Sequence, residues 1–370
     1  MLRRNVNKQI AIFLPSFRGG GAERVMLNLA KGFANRGFKV DLVLVKAVGP
    51  YSAEVPPLIR VVDFRSNRVL FSLWKLVRFL RKERPAALLS AMDHANIIAI
   101  WAKQISGIKT QVVVTVHNTL SQSIKNASVL RIKLLPLLMR WFYPWANGIV
   151  CVSQGVANDL SFLIKLPLDK IKVIYNPIIT PEFLAKAEEP LHHPWFNKGE
   201  PPIILGVGRL TKLKDFTTLI KAFDIVRRKR QARLMILGEG EERLKLEALV
   251  KRLGLEGEVV FPGFMVNPYK YMKRASVFVL SSRSEGFALA LAEAMALGIP
   301  VVATDCPNGP YEILDGGKFG SLVPIGDYKK LAEEIMKNLD IPKTDIAAQH
   351  AMKNFALERI LNEYIQVLGL

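Results

Sequence analysis

Little in this chain could build a metal centre or a disulfide framework. Two cysteines, Cys151 and Cys306, and five histidines are spread over 370 residues. Cysteines so far apart form no metal-ligand pair, and their scarcity fits a reducing compartment. No run of about 18 uncharged apolar residues occurs, so a membrane-spanning helix is not expected. The start, Met-Leu-Arg-Arg-Asn-Val-Asn-Lys-Gln-Ile-Ala-Ile-Phe-Leu-Pro-Ser-Phe, is basic and then apolar, but its apolar run is short and has no small-residue cleavage site. It reads as a first strand and not as a signal peptide. Low-complexity sequence is absent too, and half the residues are hydrophobic, which excludes a disordered chain.

Acidic residues are scarce in one half only. Residues 1–180 hold 26 Lys and Arg against 8 Asp and Glu, a net +18, whereas residues 181–370 hold 26 against 24, a net +2. A basic first half points to an anionic partner, whether nucleic acid, an acidic membrane surface or a phosphate-bearing substrate, with diffuse solvated charge as the plain alternative.

What is present is an alternation of short apolar strands and amphipathic helices over a length that allows two or three domains. The expected strands are residues 10–14, 40–45, 59–62, 86–90, 111–116, 148–152 and 172–174. A proline-rich stretch, 177–200, then reads as an interdomain connection. A second series follows, with strands at 203–207, 233–237, 259–261, 277–280 and 301–304 and helices at 215–230, 241–253 and 331–339. The glycine loop at Gly19, Gly20 and Gly21 is not a dinucleotide fingerprint: Arg24 stands where the third glycine belongs, and Lys46 follows the second strand where a ribose-binding acid is expected. A nicotinamide cofactor is disfavoured.

The most informative stretch is residues 277–305, a strand–helix–strand unit with Gly298 as the helix C-cap and Pro300 as the stop. Glu285 and Gly286 fall between its first strand and its helix, beside the helix start where free N–H groups and aligned peptide dipoles attract an anion. Glu293 lies eight residues on, about two turns further along. One phosphate seat with two carboxylates suits a sugar nucleotide, whereas a helix cap and a solvated side chain are the simpler reading.

The run Ser-Glu-Gly-Phe-Ala-Leu-Ala-Leu-Ala-Glu-Ala-Met-Ala-Leu-Gly-Ile-Pro-Val-Val-Ala-Thr resembles the Glu-x7-Glu signature of retaining glycosyltransferases of family 4, in its flanks as well as in Glu285 and Glu293. The resemblance extends over nearly the whole chain. It implies an α/β fold of the GT-B kind: two Rossmann-like domains facing across a cleft, an acceptor-binding one at 1–177 and a nucleotide-sugar-binding one at 178–345, with a helix at 346–370 returning to the first.

By the same resemblance, Arg209 and Lys214, after Gly208, hold the donor diphosphate, with Lys212 near enough to compete. Glu285 touches the transferred sugar and Glu293 the ribose, while the amides of Gly286, Phe287 and Ala288 face the phosphates. The turns at Gly238-Glu239-Gly240 and Pro262-Gly263-Phe264 resemble the loops around the base. His117 resembles the histidine beneath the donor sugar, and Gly20, Gly21, Glu23 and Asp93 belong to the acceptor side. Residues 306–312, Cys-Pro-Asn-Gly-Pro-Tyr-Glu, resemble a segment of bacterial transferases that use uridine-diphosphate hexoses. No Asp-x-Asp pair occurs anywhere, so Arg209 and Lys214 are expected to supply the positive charge that a divalent ion supplies elsewhere. Transfer without a metal or other cofactor is the expectation.

Two basic amphipathic segments, 69–82 and 130–145, either pack on the first sheet or bring Trp74, Phe79, Trp141, Phe142 and Trp145 to an anionic membrane. The acceptor expected is a lipid-linked or surface glycan, and the location cytoplasmic, peripheral on the inner face of the plasma membrane. A sugar-nucleotide 2-epimerase is the rival enzyme. A basic nucleic-acid-binding protein is the non-enzymatic rival, although no known nucleic-acid module is present and nucleic acid is not an expected partner.

Overall fold

The computed structural model describes residues 8–125, 130–343 and 345–370. The basic start at 1–7 lies outside the described residues, as do the side chains at the head of segment 130–145. The chain divides into two compact units. The first ends at Pro177 and regains the chain at Phe355–Leu370, and the second is Ile178–Asn354.

In the first unit, strands and helices alternate as β1 Gln9–Leu14, α1 Gly21–Asn35, β2 Lys39–Leu44, β3 Arg60–Asp63, α2 Leu73–Glu83, β4 Ala87–Ala91, α3 Asp93–Ser106, β5 Gln111–Val116, α4 Leu120–Lys125, α5 Leu130–Phe142, β6 Gly148–Cys151, α6 Gln154–Ile164 and β7 Ile171–Val173. Among the described residues the strands form one sheet ordered β3-β2-β1-β4-β5-β6-β7, every pairing parallel. A parallel sheet is covered on both faces by its crossover helices, so its central strands carry continuous apolar runs. Ile10 to Leu14 of β1 accordingly have no exposed surface.

The second unit runs α7 Pro181–Glu188, β8 Ile203–Val207, α8 Phe216–Lys229, β9 Arg233–Leu237, α9 Arg243–Leu253, β10 Val259–Gly263, α10 Tyr269–Arg274, β11 Val277–Leu280, α11 Leu289–Ala296, β12 Val301–Thr304, α12 Pro310–Ile313, β13 Ser321–Val323, α13 Tyr328–Asn338 and α14 Asp345–Phe355. Its sheet, ordered β10-β9-β8-β11-β12-β13, repeats the doubly wound pattern. Ile204, Ile236, Val277 and Val302 meet Leu219, Phe223 and Leu331 in one buried cluster. Gly298 is left-handed (φ 72°), with its N–H on Met295 O and that of Ile299 on Ala294 O, so the cap expected after α11 is a Schellman ending.

Two expectations change. The stretch 177–200 is not merely a connection. It contains α7, whose cap Thr180 Oγ1 accepts from Phe183 N at 3.0 Å and whose Phe183 ring packs edge-on against Tyr269. The single helix expected at 346–370 is two, because Ala356 is extended (φ −68°, ψ 135°) between α14 and α15 Leu357–Val367. Only α15 joins the first unit in full. There α1 and β6 offer it glycines: a Cβ on Gly32 would sit 2.5 Å from Leu361 Cδ1, and one on Gly148 2.7 Å from Val367 Cγ1. Arg36, the C-cap of α1, adds bonds to Glu358 O at 2.9 Å and Asn362 Oδ1 at 2.6 Å. Of the two readings of the basic segments, packing holds for Phe79, which is buried in the unit, and for Phe142, which is wedged edge-on between Trp101 and Trp145.

Candidate functional site

In a doubly wound sheet the strand order reverses at one point, and the loops leaving the carboxyl ends there splay apart into a crevice. Reversal falls between β1 and β4 in the first unit and between β8 and β11 in the second. Most of the residues singled out from the sequence follow those strands or their immediate neighbours; Phe264 follows β10, one strand further out, and Glu293 lies within α11.

In the second unit the loop after β8 is stitched to the loop after β11. Arg283 N donates to Leu213 O at 2.8 Å, and Ser281 Oγ to Lys214 O at 2.9 Å. Arg283 also pairs with Asp215, which caps α8 through Thr218. This stitching carries the Lys214 ammonium to 2.5 Å from Glu285 Oε1, which accepts from Ser282 Oγ as well. The Lys214 and Glu285 side chains are 24% and 10% exposed, so the pair is screened less than a surface pair. Lys212, the competing candidate, is exposed to solvent. Arg209 is exposed on the same loop, and among the described residues it has no recorded carboxylate partner. The Lys214–Glu285 pair thus joins the loop after β8, which also carries Arg209, to the loop that leads into α11.

Ala288 takes the left-handed conformation (φ 57°) at the cap of α11, so the helix begins at Leu289. Segment 305–309 presses against this turn. Gly309 (φ 102°) approaches so closely that a Cβ would lie 2.9 Å from the Phe287 carbonyl carbon, and Glu285 N reaches Pro307 O at 3.4 Å. The Cys-Pro-Asn-Gly sequence therefore buttresses the turn that presents Glu285 and Gly286. Cys306 itself is buried, which pushes its thiol up to about 12, with Glu285 adding to the effect.

The remaining loops interlock through backbone bonds. Gly208 N donates to Leu237 O at 3.0 Å, Leu210 N to Glu239 O at 2.9 Å, and Gly238 N to Gly263 O at 2.8 Å. Gly238 (φ 147°) allows this, since a Cβ there would fall 1.9 Å from Gly208 O. Glu239 is held by Arg243, which also donates to Phe261 O at 2.9 Å. Phe264, 49% exposed, follows this knot. Glu293, further along α11, accepts from Tyr269 Oη at 3.3 Å. Tyr269, braced by Phe183, was not found by sequence reasoning, and neither was Ser282. Tyr269 precedes its partner by 24 positions, and no spacing rule connects them.

In the first unit Gly20 caps α1, and Glu23, its third residue, folds back so that a Cβ on Gly20 would meet Glu23 Oε2 at 2.2 Å. That is the position from which a carboxylate serves the first amides of a helix. Arg24 stacks over Tyr51 at 3.9 Å and grips Glu54 through two nitrogens at 2.6 and 2.8 Å, holding the segment after β2 against the glycine loop. Asp93 opens α3, and desolvation pushes its carboxyl up to about 6. His117 follows β5. Desolvation lowers its imidazole to about 4, so the ring is neutral at pH 7. Its Nε2 lies 2.9 Å from Thr115 Oγ1. Thr115 was missed as well, although a strand's period of two places residues 115 and 117 on one face.

Two parallel doubly wound units, with cations and carboxylates on the loops at the strand reversals, define a nucleotide-type α/β enzyme. Residues 19–181 match the profile of Glycosyltransferase Family 4, and residues 188–359 that of Glycosyl transferases group 1. Among curated relatives, the Campylobacter jejuni N-acetylgalactosamine-N,N'-diacetylbacillosaminyl-diphospho-undecaprenol 4-alpha-N-acetylgalactosaminyltransferase is 31% identical over 365 residues, covering 95% of this chain and 94% of its own. The lipopolysaccharide core biosynthesis glycosyltransferase LpsE of Rhizobium meliloti is 29% identical, covering 95% and 96%. Among solved structures, Anabaena HepE in complex with UDP and glucose superposes with a TM-score of 0.80 at 22% identity, over 97% of this chain and 99% of that one. The chain belongs to the glycosyltransferases of family 4 and has their GT-B fold.

Proposed function

We propose that this glycosyltransferase moves a hexose or N-acetylhexosamine from a UDP-sugar to a lipid-linked or surface glycan, with retention of anomeric configuration and without a metal. The observation that carries the reading is the Lys214–Glu285 pair beside Arg209, on loops that flank the reversal of the second sheet. Arg209 and Lys214 bind the diphosphate, a guanidinium forking onto two oxygens and an ammonium acting as a movable point charge. The amides of Gly286, Phe287 and Ala288 complete the phosphate seat. Glu293, steadied by Tyr269, accepts from the ribose, and the knot of Gly208, Gly238, Glu239 and Phe264 borders the base. As the anomeric C–O bond to phosphate breaks, the acceptor oxygen bonds to that carbon from the leaving-group face. The acceptor proton passes to the departing phosphate oxygen. Lys214 and Arg209 stabilise the charge that develops there.

UDP is favoured because HepE binds UDP and glucose, and the buttress 306–312 resembles that of UDP-hexose transferases. A lipid-linked acceptor accords with the diphospho-undecaprenol substrate named for the Campylobacter relative. The basic first unit, with Gly20, Gly21 and Glu23 at the start of α1 and Asp93 at the start of α3, takes the acceptor. It also presents exposed Phe71 and Trp74 (62% and 64%) and Trp141 (67%) toward an anionic membrane. No helix among the described residues is long and apolar enough to cross one.

Thermal unfolding with UDP, GDP or ADP, each with chelator, tests the donor reading in the wild type and in Glu293→Ala. At about 100 times the dissociation constant a ligand adds roughly 2.7 kcal/mol. A shift with UDP that the variant loses is expected, and no shift with any of the three would sink the assignment. Product analysis without acceptor separates the transferase from an epimerase, which changes the donor alone.

A further inference from the structure

The bonds beneath His117 decide which of its ring nitrogens carries the proton. Thr115 is fully buried, and its hydroxyl donates to the Ser90 carbonyl oxygen on the adjacent strand β4 at 2.9 Å. A hydroxyl has one proton and two lone pairs, and a carbonyl oxygen can only accept. With its proton committed to Ser90 O, Thr115 Oγ1 meets His117 Nε2 at 2.9 Å through a lone pair. Nε2 must then be the donor. The geometry around Thr115 is set by the backbone: β4 and β5 pair in parallel with Ala91 opposite Thr115. From the other side, Asn96 of α3 donates Nδ2 to Thr115 O at 2.9 Å and to Tyr143 Oη at 3.1 Å. Because burial keeps the imidazole neutral at pH 7, its second nitrogen carries no proton.

We propose that Thr115 is a positioning residue that fixes His117 as the Nε2–H tautomer, so that Nδ1 offers a lone pair to a hydroxyl of the substrate sugar. The proposal rests on the glycosyl-transfer reading for the identity of that ligand. It reverses the simplest picture of a histidine under a sugar, a donor pointing at an oxygen. The group recognised has to be a hydrogen-bond donor. A free hydroxyl qualifies, whereas a methyl ether or a fluorine at the same carbon does not.

The tautomer is read directly from long-range proton–nitrogen correlations in 15N-histidine-labelled protein at pH 7, with His117 among the five histidines assigned by its loss in His117→Gln. The expected pattern has a protonated Nε2 and a bare Nδ1. Thr115→Val removes the hydroxyl at similar volume and should move the ring toward the Nδ1–H form, with kcat/KM down about ten-fold, the size expected for one net hydrogen bond to a buried partner. Thr115→Ser should restore both the spectrum and the rate. A wild-type ring protonated on Nδ1, or a Thr115→Val spectrum unchanged from wild type, overturns the proposal, and the first of these is measured without any variant. A ring of the expected tautomer in a protein that turns over no nucleotide-sugar removes the transfer reading instead, so the two failures are told apart.

Discussion

Lys214 and Glu285, 71 positions apart in sequence, meet at 2.5 Å because Ser281 and Arg283 fasten the loop after β8 to the loop after β11. A cation already paired to a carboxylate can exchange it for phosphate oxygens without first leaving water. Lys214→Met is therefore expected to lower kcat by about 100-fold or more, as the loss of one charge-stabilising donor does, whereas Lys212→Met stays within about two-fold. Steady-state kinetics of the two variants check the assignment, and equal losses would refute it.

Tyr269 donates to Glu293 from α10 while Phe183 braces its ring. Tyr269→Phe keeps the ring and removes the donor. UDP affinity should fall about three- to ten-fold, the worth of one hydrogen bond, at unchanged melting temperature without ligand. Titration calorimetry distinguishes this from an unchanged affinity, which would free Glu293 of Tyr269.

Asp93 titrates at about 6 in the fold, up from 3.8. Between those values the folded state holds a proton that the unfolded chain has lost, so the stabilisation is full below pH 4 and disappears as pH rises through 6. Asp93→Asn should match the wild type in stability near pH 4 and exceed it from pH 7, by up to about 3 kcal/mol. His117 runs the opposite way. Lowered from 6.5 to about 4, it contributes stability above pH 6.5 that is lost as pH falls toward 4. Melting curves of the variant and wild type from pH 4 to 8 test the sign.

Gly238→Ala places a methyl 1.9 Å from Gly208 O at φ 147°. The second unit should lose about 2 kcal/mol or more, and the backbone bonds among 208, 210, 238 and 263 should loosen. Hydrogen exchange at those amides reports the loosening, and retained protection would show that the knot tolerates a side chain.

Phe71→Ser with Trp74→Ser should weaken sedimentation with anionic vesicles several-fold while leaving neutral vesicles unaffected, if this surface meets lipid. The same loss with neutral vesicles would remove the charge from the explanation.

The first sheet and five of the six strands of the second were legible in the sequence because parallel strands buried on two faces leave unbroken apolar runs, as in residues 10–14 and 277–280, whereas the three-residue edge strand β13 was not expected. The α11 cap was legible because a Schellman ending needs a left-handed residue where Gly298 stands. Helix α7 was hidden behind its prolines: Pro181 reads as a breaker, yet it occupies the first helical turn, where its missing N–H costs nothing. The break at Ala356 carries no local signal at all, since alanine is the best helix former. In the site, motif residues could be placed, but their partners could not. Ser282, Tyr269 and Thr115 have ordinary neighbours in sequence and acquire roles only when strand ends are brought side by side.

The seat of α15 against Gly32 and Gly148 has a consequence for biosynthesis. The first unit lacks one of its own helices until the 177 residues of the second, Ile178–Asn354, have been made. At about 5–20 residues per second the ribosome needs roughly 10–35 s for them. Throughout that interval the face of α1 that receives Leu357 and Leu361 is bare, and it is the surface a nascent-chain chaperone would meet.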